Sequence, residues 1–197
     1  MRYNQRLFYS IMQATFQVMA FTNVHMKNFV RSDEDGGGYW PMSAVCDLDT
    51  GSPFVRMPSF LEEVSAFYGC LGLDKFFLEN EITIDQRNPQ FYWEARSLMP
   101  DIMVANFTTN PKVTKITQKF LEETGWYSVH ETLGAEINWG RNKGCAFLEK
   151  KCDQEFPEFN VEIGDSLCSS EFDLKGTGAV SSSDEYYDGC LIFSPKW

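Results

Sequence analysis

The sequence predicts an α+β chain, mainly helical, followed by a loop-rich, disulfide-stabilised C-terminal region. Three observations carry this. Apolar residues recur at helical spacing in the stretches 4–21, 58–69 and 110–125. Trp126 to Val129 alternates as a short strand. From Gly140 onward glycine, serine and acidic residues dominate, and four of the six cysteines gather there. Such a region has little apolar surface to bury, so disulfides are its expected staples.

The first helix runs into a loop. Phe8, Ile11, Met12, Phe16 and Met19 form its apolar stripe and are expected in the core. Gln13 and Gln17 lie four apart, so they project from one face, one turn above the other. From Arg31, R-S-D-E-D-G-G-G-Y is a loop. Asp33, Glu34 and Asp35 read there as solvated acids, because the ligand spacing of a calcium loop is absent.

Pro58 suits the first turn of the second helix, with Phe60, Leu61, Val64 and Phe67 as its buried stripe. Glu62 and Glu63 are adjacent and point apart, so they are surface residues and not a catalytic pair. Phe91 to Val104 is aromatic-rich and broken by Pro100, which fits a short helix or turn ahead of a tight bend. Asn106-Phe107-Thr108 has the form of a glycosylation acceptor. In the third helix Thr109 or Asn110 is the expected cap, and Pro111 suits the first position. Val113, Ile116, Phe120 and Leu121 form its stripe, and Gly125 ends it.

Composition narrows the function. The chain has 197 residues, and its 15% aromatic content marks a folded chain. A net charge of -11 with no basic stripe argues against a nucleic-acid partner. Cys46, Cys70, Cys145, Cys152, Cys168 and Cys190 are an even set of candidate disulfide cysteines, suited to an oxidising compartment, with free buried thiols as the plainer alternative. No C-x-x-C pair suggests a zinc ribbon. Arg2 and Arg6 precede an apolar run, but Gln13 and Gln17 interrupt it and no cleavage site follows, so no signal peptide is read. No stretch reaches the ~20 apolar residues that span a bilayer.

The stretch G-W-Y-S-V-H-E-T-L-G-A-E-I-N-W-G-R-N-K-G-C-A-F-L-E-K-K-C, Gly125 to Cys152, resembles the leishmanolysin-type zinc metallopeptidases. Their pattern G-W-Y-x-V-N, then A-E, W-G and G-C-x-F with a later cysteine, is matched by Gly125, Trp126, Tyr127, Val129, Ala135, Glu136, Trp139, Gly140, Gly144, Cys145, Phe147 and Cys152. Upstream, Pro58 to Cys70 resembles P-x-V-x-x-x-A-x-x-H-F-x-C, and Leu78-Glu79-Asn80 resembles L-E-N. Tyr92 to Met103 resembles H-W-E-x-R-x-L-x-x-E-I-M. Gln13 to Thr22, Q-A-T-F-Q-V-M-A-F-T, falls on the signature H-E-x-x-H-x-x-G-F-S. In that motif two histidines bind zinc and the glutamate is the general base.

The resemblance implies a zincin-like (metzincin-type) peptidase fragment, mainly helical, with an N-terminal domain expected before the signature helix. It implies a first unit at 1–107, the signature helix plus a central domain. Residues 108–197 would be an incomplete cysteine-rich C-terminal domain. The implied ligand positions hold Gln13, Gln17 and Tyr92, the general-base position holds Ala14, and the methionine of the turn beneath the metal falls on Met103. Ala20 stands where the family has glycine. A carboxamide oxygen is a neutral, weak zinc donor, and a phenol with a pKa of about 10 must first lose its proton. Alanine accepts no proton at all.

No intact catalytic residue or metal ligand is therefore expected, and no cofactor, although zinc is the family's ion. His25 and His130, the only histidines, lie away from the family's ligand places and read as surface or satisfied residues. Gln13, Gln17 and Tyr92 are expected to hydrogen-bond one another as a polar core. The leading reading is a pseudopeptidase with a binding or cell-adhesion role, its partner a peptide or a cell-surface protein. An active zinc metalloendopeptidase and a decayed gene fragment are the alternatives. Extracellular or cell-surface placement follows from the resemblance and the cysteines, and membrane association from the resemblance alone.

Overall fold

The computed structural model describes residues 3–33, 36–45, 53–79, 91–105, 110–130, 133–151, 155–160, 166–168, 175–180 and 190–195. Helix and strand are mixed. The elements run α1 (Tyr3–Met19), α2 (Asn23–Met26), α3 (Met42–Val45), β1 (Phe54–Val55), α4 (Pro58–Tyr68), β2 (Phe76–Phe77), α5 (Ala95–Leu98), α6 (Lys115–Glu123), α7 (Cys145–Glu149), β3 (Ser166–Cys168), β4 (Lys175–Val180) and β5 (Leu191–Pro195). β1 and β2 pair antiparallel, and β3-β4-β5 form a three-stranded antiparallel sheet. Among the described residues, no helix is long and apolar enough to cross a membrane.

α4 forms where Pro58 opens a helix and ends where Gly69 takes φ 67°, a left-handed conformation that glycine adopts without strain. It buries Phe60, Leu61, Val64 and Tyr68; Phe67, expected in the stripe, is half-buried beneath the Arg141 guanidinium. α6 packs on α4 through Phe60 and Phe120, whose rings lie 5.8 Å apart. Trp93 sits between them, stacked on Phe60 at 5.4 Å and edge-on to Phe21 and Phe120. Aromatic pairs of this kind add to the stabilisation from burying their area.

α6 starts later than its sequence signals suggest. Pro111 does not open it, and Asn110 does not cap it. Residues 112 and 114 instead bridge to Asp101 and Ala135, with Ile102 N donating to Lys112 O and Ala135 N to Val113 O. Tertiary pairing thus outweighs the local helix signal. Thr114 is the cap, its hydroxyl accepting from Thr117 N. The helix ends as expected near Gly125, at φ 72°. A β-carbon there would sit 2.3 Å from Val30 O. Gly125→Ala is expected to destabilise the chain by about 2 kcal/mol, read as a lower urea midpoint at unchanged slope.

Several other expectations are corrected. Trp126 to Val129 pairs with no strand among the described residues; Trp126 packs edge-on against Phe29 and His25, and the Tyr127 hydroxyl donates to Met19 O. The stretch after Gly140 does bury apolar surface. Phe147 and Phe159 are buried and stacked at 5.3 Å, with Trp139 and Phe156 against them. A few large rings supply what the low density of apolar residues conceals.

Cys70 and Cys145 form a disulfide that ties the end of α4 to the start of α7. Cys190 is buried and disulfide-bonded, whereas Cys168 is a free, exposed thiol, contrary to its candidacy. The other two candidates, Cys46 and Cys152, lie outside the described residues, as do Glu34, Asp35, Asn80, Thr109 and the Asn106 acceptor.

The largest departure is α1. Phe8 and Ile11, expected inside, are 58% and 57% exposed, and Leu7 and Val18 are exposed beside them. Met12, Phe16 and Met19 are half-buried against the core, and among the described side chains of α1 the one that is buried is Gln17. The helix turns its glutamine face inward.

Candidate functional site

The inward face of α1 meets two segments of the chain. Residues 91–93 form one, bridged through Trp93 to Leu78 and to Val104. The turn after Pro100 is the other; its 99–100 peptide bond is cis, and Met103 O accepts from Trp93 N at 2.8 Å. Phe91 N donates to Phe21 O, which sets the first segment against the end of α1.

Gln13 Nε2 donates to Ile102 O at 3.0 Å and to Val104 O at 2.9 Å, gripping the carbonyls on either side of Met103. Gln17 Nε2 donates to Phe91 O at 3.2 Å, beside Tyr92, and to Phe21 O at 2.7 Å. The structure therefore brings Gln13, Gln17 and the chain around Tyr92 and Met103 into one place. It does not form the side-chain cluster expected from the sequence, because both glutamines spend their amide protons on the main chain. Gln17 Oε1 is buried with no hydrogen-bond partner. Tyr92 is half-buried, and its carbonyl accepts from Glu79 N at 2.9 Å. Met103 is fully buried, and Ala14 is exposed on the neighbouring face of α1.

The two histidines stand elsewhere. His25 Nδ1 lies 2.9 Å from Thr22 Oγ1, and its ring meets Trp126 edge-on; His130 is exposed. Among the described residues, no group of three or more histidines, cysteines or acids is placed to hold a metal ion.

Beneath the turn lies a polar cluster that the sequence reading did not identify. The buried Asp101 carboxylate accepts from Met103 N and from Thr114 N, Thr114 Oγ1 and Thr117 Oγ1, at 2.6 to 3.1 Å. Trp93 Nε1 donates to Thr117 Oγ1 at 2.8 Å, extending the network into the aromatic core. Burial pushes the Asp101 carboxyl up to about 6, against these donors, which pull it down. On the far side, the buried Arg96 guanidinium donates to Phe147 O and Leu148 O, and Trp139 Nε1 donates to Arg96 O. An acid inside M-P-D-I-M, with T-x-x-T beginning 13 residues on, was the available signal for the Asp101 cluster. For Arg96 the available signal was its place on the arginine of H-W-E-x-R, the stretch that Tyr92 to Met103 resembles.

Comparison with known proteins bears on these segments together. The leishmanolysin family profile matches residues 13–187. A leishmanolysin-like peptidase of Caenorhabditis elegans is 30% identical over 124 residues, 63% of this chain and 18% of its own length. The ciliated left-right organizer metallopeptidase of Danio rerio is 26% identical over 191 residues, 94% of this chain and 29% of its own. A leishmanolysin homolog of Crithidia fasciculata is 23% identical over 95% of this chain and 28% of its own length. The chain thus spans less than a third of the length of these relatives. With the profile running from the signature position Gln13 through both segments and the disulfide to residue 187, the chain belongs to the leishmanolysin family of zinc-dependent metallopeptidases.

Proposed function

We propose that this chain is a leishmanolysin-family pseudopeptidase: it keeps the peptidase scaffold, does not hydrolyse peptides, and acts by binding a peptide or a cell-surface protein. The observation that carries the reading is the use of Gln13 and Gln17. A zinc ion takes lone pairs from its ligands, and the family supplies them from imidazole nitrogens. Here the nitrogens at those positions carry protons and point them at carbonyl oxygens. What remains for a cation is a pair of neutral amide oxygens, a donor set that does not fit zinc. Ala14 supplies no group to take a proton from water.

A zincin-like arrangement, with a central unit to residue 107 and a cysteine-rich unit after it, belongs to the same proposal. So does placement outside the cell or at its surface, supported by the disulfide between Cys70 and Cys145. The exposed Leu7, Phe8, Ile11 and Val18 give α1 an apolar outer face suited to contact rather than catalysis.

The test is metal content after dialysis against trace zinc, run beside hydrolysis of a mixed-sequence peptide library. The expected result is no stoichiometric zinc and no cleavage. Near-stoichiometric zinc with chelator-sensitive cleavage would overturn the proposal.

A further inference from the structure

We infer that Gln13 and Gln17 form a metal-free clamp that fastens α1 to the rest of the chain. Three of the four bonds from their amide nitrogens cross to residues 91, 102 and 104, between 74 and 91 positions away in sequence. The fourth ends on Phe21 O, the same carbonyl that receives Phe91 N. Each carboxamide has two N–H donors, and each glutamine spends both.

The apolar side of α1 cannot do this work. Phe8 and Ile11 face outward, and the apolar residues turned inward are only half-buried along the helix. Hydrophobic attachment is also non-directional and would permit α1 to slide or rotate. The amide bonds are directional, and they end on carbonyls of the buried residues Phe91, Ile102 and Val104. If the clamp is released, these acceptors lose their partners. Where a metal ion would join such segments through ligands from each, this chain joins them through side chain and backbone alone, so its folded state is indifferent to divalent cations.

The experiment is thermal unfolding of the full chain and of Gln13→Met and Gln17→Met, each with EDTA and with added zinc. Methionine keeps length and bulk and removes the donors. The wild-type Tm is expected to be unchanged by EDTA or zinc, and each variant to melt about 5 °C lower or more. Variants that melt like the wild type would overturn the clamp and leave the proposed function standing. A wild-type Tm lowered by EDTA would overturn both. Should neither variant fold, exchange of the wild-type side-chain amide protons decides. Protection of Gln13 and Gln17 relative to the exposed Gln5 supports the clamp, and equal exchange overturns it.

Discussion

Asp101→Ala is expected to lower unfolding stability by about 3–5 kcal/mol, measured by urea denaturation. The carboxylate takes two backbone N–H groups and two hydroxyls. The hydroxyls can turn to other acceptors. Met103 N and Thr114 N are fixed by the turn and by the start of α6, so removing Asp101 leaves both without a partner at a buried site. Asp101→Asn is milder but not neutral. One oxygen receives three of the donors and the other receives Met103 N, so an amide puts its NH2 against a donor whichever way it sits.

The same residue gives a pH signature. Its folded pKa of about 6 is raised above the ordinary 3.8. The folded state therefore holds the proton over a range where the unfolded state has lost it. Its contribution is fully present below about 3.8 and is lost as pH rises through about 6. Between pH 7 and pH 5 the wild type should gain about 1 kcal/mol over Asp101→Asn. Parallel stability curves for the two proteins would show that Asp101 is not the titrating group.

Removing the disulfide with the paired change Cys70→Ala and Cys145→Ala is expected to cost about 4 kcal/mol. The two cysteines lie 75 residues apart, and freeing a loop of that size returns substantial entropy to the unfolded chain. Against a total of roughly 5–15 kcal/mol for a typical domain, this decides whether the chain folds at 37 °C. The paired variant is cleaner than reduction, which also opens the bond at Cys190. An unchanged denaturation midpoint would place the unfolded chain's compactness under some other control.

What was legible in the sequence was what local physics decides. α4 combines Pro58, a 3.6-residue stripe and Gly69; the structure keeps its ends and its buried face, moving only the last stripe position from Phe67 to Tyr68. The start of α6 was misplaced because Pro111 is a strong local signal that the bridge at Lys112 overrides. The burial of α1 was misread at Phe8 and Ile11 for a similar reason, while Met12, Phe16 and Met19 do pack against the core. Periodicity alone puts Phe8 and Ile11 inside, but two glutamines with backbone carbonyls to meet outweigh two exposed apolar side chains.

The candidate site was readable as a set of positions, since Gln13, Gln17 and the surroundings of Tyr92 and Met103 do converge. Its bonding was not. Which acceptor a carboxamide chooses depends on chain segments distant in sequence, and the Asp101 cluster depends on them in the same way.

The bond between Cys70 and Cys145 also has a topological meaning. It closes the chain into a covalent ring that encloses α5, Asp101 and the whole of α6. A single scission anywhere from Leu71 to Gly144 opens that ring without parting the molecule. The two pieces stay joined at the ends of α4 and α7, where the aromatic core of both halves meets at Tyr68 and Phe147. A chain built this way, cut once inside the ring, still keeps its parts covalently together.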